Sequence, residues 1–256
     1  YHLTALFKLE RRHLQKKLLV KNLSFRWPFR VIFSNINFEA NPGDLFYISG
    51  ENGCGKTTFL RVLAGELPPS AGTIDYFEDS NRYLWKQKRV QESEYLAADY
   101  NSLYLDLSAL DNLQFWLSFR GNQTKRASSS LSEWGLATPV LQSWLPVKKL
   151  STGLKRRVAL ARTFTANTPV IFLDEPTTGL DPINSDKINE LILKVITNRK
   201  ITAVTITHDI KSAIKTGDHY YFIDKGIIQD KGDCKKILKT KNKVFKSFIT
   251  GADIKQ

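Results

Sequence analysis

The segment that most constrains this chain is Gly50-Glu51-Asn52-Gly53-Cys54-Gly55-Lys56-Thr57-Thr58, which follows the apolar run Leu45-Phe46-Tyr47-Ile48-Ser49 and precedes a helical run from Phe59 to Ala64. Strand, glycine-rich loop and helix in that order make a phosphate-binding P-loop. The glycines let the backbone wrap closely enough for successive N–H groups to converge on an anion, and the helix that follows adds the positive end of its dipole. Lys56 is then placed to reach terminal phosphates, and the Thr57 hydroxyl to ligate magnesium. An innocent glycine turn would need neither the strand before it nor the helix after it.

Two further apolar runs end in the same manner. Val170-Ile171-Phe172-Leu173 leads into Asp174-Glu175, and Ile201 to Thr207 leads into His208. Unbroken apolar residues fit parallel strands covered on both faces, and open α/β sheets place ligands beyond the carboxyl ends of their strands. Asp174 is expected to hold magnesium, through water, and Glu175 to orient an attacking water. His208 alone would read as an ordinary strand-end histidine; beside the other two strand ends it points to a shared phosphate site.

Composition narrows the class. The 256 residues, 42% hydrophobic and 25% charged, suffice for one large or two-lobed globular unit and exclude disorder, collagen and a disulfide scaffold. No run of about 18 apolar residues is present to span a bilayer as a helix. Cys54 and Cys234 make no metal or cystine spacing, and the start of the sequence has no secretory pattern, so a cytosolic, reducing compartment is expected. The net charge of +13 is concentrated at the ends. Residues 1–30 carry a surplus of +7, residues 225–256 one of +6, and the middle is neutral. A nucleic-acid channel would need its own basic lining, so none is expected; basic ends suit anionic headgroups, an acidic partner, or plain solvation.

Between Thr73 and Lys149 the pattern changes. Residues 73–95 read as a short antiparallel edge. From about Ser108 the period is helical, with Leu110, Leu113, Trp116 and Leu117 on one stripe. Gly121 to Ser130 reads as a polar surface loop, and Leu131, Trp134 and Leu136 resume a helix. The tryptophans are expected in the core.

Just before the acidic strand, Leu150-Ser151-Thr152-Gly153-Leu154-Lys155-Arg156-Arg157-Val158-Ala159-Leu160-Ala161-Arg162 resembles the signature loop and helix of ATP-binding cassette (ABC) ATPases. Glu175-Pro176-Thr177-Thr178-Gly179-Leu180-Asp181-Pro182 is similar to that family's Walker B to D-loop stretch, and Thr207-His208-Asp209 to its switch-histidine segment. Trp27 stands where the family keeps an adenine-stacking aromatic. The signature departs from the family at Thr152 and Leu154 but retains Ser151 and Gly153, which face the γ-phosphate. The glutamine that touches magnesium and the permease falls at Asp99, counting back from Leu107-Ser108-Ala109-Leu110-Asp111-Asn112-Leu113, with Gln91 as a rival.

The resemblance implies an α/β P-loop NTPase with a RecA-like parallel sheet core, an antiparallel edge sheet and a helical subdomain, in a single ABC ATPase domain over 1–256. Residues 18–90 and 150–230 would form the catalytic core, 91–149 the helical subdomain, and 1–17 and 231–256 basic extensions. It implies ATP and Mg2+ as ligands. The nucleotide would meet Trp27, Gly50, Glu51, Asn52, Gly53, Cys54, Gly55, Lys56, Thr57, Thr58, Ser151, Gly153 and Asp181. Thr57, Asp174 and Asp99 would hold the metal, and Glu175, His208 and Lys56 would act in hydrolysis. Because Ser151 and Gly153 lie on a separate lobe, a second ATPase subunit, as a homodimer, would complete the pocket. A transmembrane permease would use the motion, which places the chain peripherally on the inner face of the cell membrane. The C-terminal part, through Phe245-Lys246-Ser247-Phe248-Ile249-Thr250-Gly251, is similar to ATPases of Mla/Mce-type lipid transport. Tyr47 to Tyr76 is more like haem-exporter ATPases of cytochrome c maturation. Lipid is the favoured cargo, with haem export or a soluble, non-transport ABC ATPase as alternatives.

Overall fold

The computed structural model describes residues 16–78, 81–84, 93–96, 103–119, 124–166 and 168–254. The first strands, β1 (Lys16–Trp27) and β2 (Arg30–Ala40), form an antiparallel hairpin. The P-loop strand β3 (Leu45–Ser49) and helix α1 (Lys56–Leu63) follow. β4 (Ala71–Glu78) and β5 (Asn81–Leu84) complete a four-stranded antiparallel sheet of order β2-β1-β4-β5. β6 (Ser93–Leu96) precedes a helical lobe of α2 (Ala109–Ser118), α3 (Ala127–Glu133) and α4 (Thr152–Thr165). The chain then alternates through β7 (Val170–Asp174), α5 (Pro182–Arg199), β8 (Thr202–Ile206), α6 (Ile210–Thr216) and β9 (His219–Asp224), and ends with β10 (Ile227–Asp233) and α7 (Lys243–Ile254).

The second sheet has order β10-β9-β3-β8-β7-β6 and is parallel except at β10. All five residues of β3, β7 and β8 are buried, because the pleat sends alternate side chains into different apolar layers. Phe46 and Ile48 pack with Phe33, Phe38 and Phe59 toward the antiparallel sheet and α1. Leu45 and Tyr47 pack with the layer that holds Trp134, Phe164 and Ile192 of the helical side. β7 divides likewise, Val170 and Phe172 against Ile171 and Leu173.

Two expectations need correction. Residues 73–95 are not one antiparallel edge. β4 and β5 are, but β6 joins the other sheet, parallel to β7 with Tyr95 opposite Phe172, and there it buries Leu96. The expected surface loop over 121–130 is helical from Ala127, since its serines have partners. The Ser128 hydroxyl donates to Gln142 Oε1 at 2.8 Å and that of Ser130 to the Ala161 carbonyl at 3.3 Å. Of the two tryptophans expected in the core, Trp134 is fully buried and Trp116 is half-buried under the Arg162 guanidinium at 4.4 Å; Trp144, outside that expectation, is 81% exposed on a short π-helical turn, Val140–Trp144. Among the described residues, no helix is long and apolar enough to cross a membrane.

Candidate nucleotide site

β3, β7 and β8 end side by side, which brings the three polar strand ends together. The Thr207 amide donates to the Ile48 carbonyl at 3.2 Å, the Ser49 hydroxyl to the Thr207 carbonyl at 3.0 Å, and the Glu175 amide to the Ile206 carbonyl at 3.1 Å. The glycine loop is fixed by close packing. A Cβ on Gly50 would sit 2.1 Å from the Ile223 carbonyl oxygen, and one on Gly55, whose φ is +103°, 2.7 Å from Ile32 of β2. Glycine is therefore required at both positions. Helix α1 starts at Lys56, three residues before the apolar run suggested, with Gly55 as its cap. The Lys56 ammonium is buried and donates to the Gly50 and Glu51 carbonyls at 2.8 and 2.9 Å. Glu51, Asn52, Gly53 and Thr57 are exposed, whereas Cys54 and Thr58 are half-buried.

The adjacent carboxylates of β7 are driven in opposite directions. Asp174 is 3% exposed, and burial raises its pKa, opposed by hydrogen bonds from Thr57 and from the Tyr95 hydroxyl, which donates to Oδ2 at 3.2 Å. Glu175 sits at φ +45°, and its carboxylate takes His208 Nε2 at 2.8 Å and the Thr178 hydroxyl at 2.6 Å. Those partners, His208 first, lower its pKa to about 2. Glu175 is thus a charged acceptor at neutral pH, oriented by two donors. The His208 ring also meets Phe248 of α7, with centroids 6.3 Å apart.

Part of this site opens into a cleft of about 1520 Å³, lined by Glu51 and Asn52 of the P-loop, Glu175, His208 and, from α7, Ser247 and Phe248. The signature residues lie elsewhere. Ser151, Gly153, Arg157, Asp181 and Asn184 line a separate groove of about 440 Å³, and among the described residues only Gly179 and Leu180 border both. Ser151 caps α4, accepting from the Leu154 amide at 3.3 Å, and a Cβ on Gly153 would meet nothing within 4 Å. Asp181 caps α5, accepting from the Asn184 amide at 3.0 Å, a bond that lowers its pKa. Trp27 stands apart at the turn end of the hairpin, 47% exposed and edge-on to Phe25. Asp99 and Gln91 lie outside the described residues.

Sequence reasoning missed Tyr95, Thr178 and Phe248. Thr178 had a signal, a hydroxyl three residues after Glu175 within a quoted motif. Tyr95 and Phe248 reach the site only through tertiary packing.

The model of the ABC transporter family matches residues 33–178. Among known relatives, the intermembrane phospholipid transport system ATP-binding protein MlaF of Haemophilus influenzae is 29% identical over 93% of this chain and 91% of its own length. The cytochrome c biogenesis ATP-binding export protein CcmA of Bradyrhizobium diazoefficiens is 36% identical over 64% of this chain and 78% of its own. Among solved structures, a dimeric post-hydrolysis state of the ATP-binding cassette MJ0796 bound to ADP and Pi superposes with a TM-score of 0.72 at 25% identity, covering 85% of this chain and 98% of that one. A strand-end phosphate loop, an acidic pair at the end of β7 one strand away and this span of matched sequence agree: the chain belongs to the ABC transporter family and is one of its ATP-binding, ATP-hydrolysing subunits.

Proposed function

We propose that this ATPase closes on two MgATP molecules as a homodimer, two-fold and head-to-tail, and that the closing and opening drive a separate transmembrane permease moving lipid. One observation carries the reading. Glu51 and Asn52 of the P-loop line one cleft with Glu175 and His208, whereas Ser151, Gly153 and Asp181 line another groove of the same chain. A nucleotide in the first cleft meets the second set only if another copy supplies it, and the open face of Gly153 leaves room for that approach. The dimeric MJ0796 structure with ADP and Pi supports this arrangement.

Phosphoryl transfer to water asks for positioning and charge stabilisation more than covalent chemistry. Lys56 and the loop amides neutralise the phosphates, with Gly50, Glu51, Asn52, Gly53, Cys54, Gly55, Thr57 and Thr58 forming the cradle and Trp27 stacking on the base. Glu175 orients the attacking water. His208 holds Glu175 and contacts the γ-phosphate. For magnesium the donors fit: the Thr57 hydroxyl and the buried Asp174 carboxylate are hard oxygen ligands already paired with each other, and Mg2+ is commonly held by one or two such groups plus phosphate oxygens. When bound, the ion supplies positive charge against the phosphates.

Lipid as cargo is supported by the MlaF likeness, which extends over 93% of the chain, against 64% for CcmA. The test has two arms. Glu175→Gln should bind ATP, elute at twice the monomer mass with MgATP in size-exclusion chromatography with light scattering, and lose turnover by about 100-fold or more. A monomer that hydrolyses ATP at a rate per chain independent of concentration would refute the sandwich. A mild-detergent pull-down from native membranes should recover a spanning subunit with phospholipid; haem in its place selects the export alternative, and no spanning subunit refutes the permease.

A further inference from the structure

We infer that Phe248 of helix α7 is a positioning residue for ATP hydrolysis: its ring holds the His208 imidazole in the orientation that bonds Glu175. The inference rests on the proposed roles of Glu175 and His208. His208 follows β8 on a loop, its side chain is 37% exposed, and a single hydrogen bond to Glu175 at 2.8 Å leaves an imidazole free to tilt about its side-chain torsions. Phe248 supplies a second constraint, with centroids 6.3 Å apart and planes at 42°.

The support behind Phe248 is rigid. Val244, Ser247, Phe248 and Gly251 all line the cleft, so one face of α7, at helical spacing, is turned to the site. The opposite contacts fix the helix. Phe245, fully buried, stacks on Phe222 at 4.5 Å and on Tyr220 at 5.2 Å, and Phe248 itself lies 5.3 Å from Phe222. Phe222 pairs with Ser49 in the parallel register of β9 and β3, immediately before the P-loop. The helix start is capped by Asn242, whose Oδ1 accepts from the Phe245 amide at 3.0 Å while its Nδ2 donates to the Gln229 carbonyl at 2.9 Å. The sheet that carries the phosphate loop therefore also carries the aromatic column that ends on His208. Small misplacements of a catalytic group lower rate far more than affinity.

The experiment measures steady-state ATPase activity of the full chain for Phe248→Ala, Phe248→Tyr, His208→Ala and the double variant Phe248→Ala/His208→Ala. Phe248→Ala should lower kcat about tenfold with KM for ATP changed less than about twofold, and Phe248→Tyr, which keeps the ring, should restore most of the rate. The double variant should be no slower than His208→Ala, since one acts through the other. Unchanged kcat in Phe248→Ala, or losses that multiply in the double variant, would overturn the inference while leaving His208 in place. Full activity in His208→Ala would instead overturn the underlying reading. If Phe248→Ala does not fold, Phe248→Leu takes its place in both halves of the cycle, with the same outcomes deciding.

Discussion

The cleft beyond β3, β7 and β8 and the groove at the start of α4 are neighbours built on opposite plans. At the strand ends beside the cleft, polar groups are tied to one another, some of them buried: Lys56 to loop carbonyls, Asp174 to Tyr95, and the half-buried Glu175 to His208 and Thr178. In the groove, Ser151 accepts from the Leu154 amide, Asp181 accepts from the amide and the side chain of Asn184, and Gly153 opens outward. The first is a preorganised electrostatic site that one chain can make. The second has the form of half a site, with its bonding directed along its own helices and its surface left open.

The contrast makes graded predictions. Removing the cation of the cleft should act on a single chain: Lys56→Ala should weaken ATP binding by about 100-fold or more in a fluorescent-nucleotide titration, since a desolvated charge opposite phosphate is lost. Unchanged affinity would remove the P-loop from binding. Ser151→Ala, in the groove, should leave nucleotide affinity of the isolated chain within about twofold but lower turnover about tenfold. Its lost cap should cost about 1 kcal/mol, a drop of roughly 2–4 °C in Tm for a chain of this size. Turnover at the wild-type level would show that the groove plays no part.

The smallest effect concerns pH. The folded pKa of Glu175, about 2, lies below its ordinary 4.5, so its contribution to stability is fully present above about pH 4.5 and is lost as pH falls through the folded value. With its side chain 24% exposed, solvent screening leaves on the order of 1–2 kcal/mol of this. The stability advantage of wild type over Glu175→Gln, from urea melts, should shrink steadily from pH 5 downward and reach that amount once pH falls to about 2. A constant gap would mean that the His208 and Thr178 bonds do not hold the carboxylate charged.

What could be read from the sequence follows from how locally each feature is determined. β3, β7 and β8 announce themselves because strands covered on both faces are apolar at every position, and the residue that breaks each run marks the ligand edge. The P-loop is equally legible as a glycine pattern between strand and helix, although what requires glycine at Gly50 and Gly55 is tertiary, the approach of Ile223 and Ile32. β6 was hidden: four residues in a charged stretch carry no period, and only pairing with β7 makes Tyr95 a neighbour of Asp174. Thr178 reaches back to its carboxylate because Glu175 adopts a left-handed backbone, which composition does not reveal. Phe248 comes forty residues after His208 and meets it through a helix docked on β9. Trp134 and Trp144 look alike in sequence, yet one ends a packed helix and the other projects from a turn.

The hold of Gly50 and Glu51 on the Lys56 ammonium gives that side chain a task that precedes any ligand. Two oxygens of the loop replace the hydration shell, so an arriving triphosphate exchanges one set of oxygen neighbours for another and need not strip water from a bare cation. The same clasp means that acylating this amine would do more than blind the loop to its ligand: it would loosen the turn itself, taking the lysine donor from the Gly50 carbonyl and leaving the Glu51 carbonyl to the Cys54 amide at 3.3 Å.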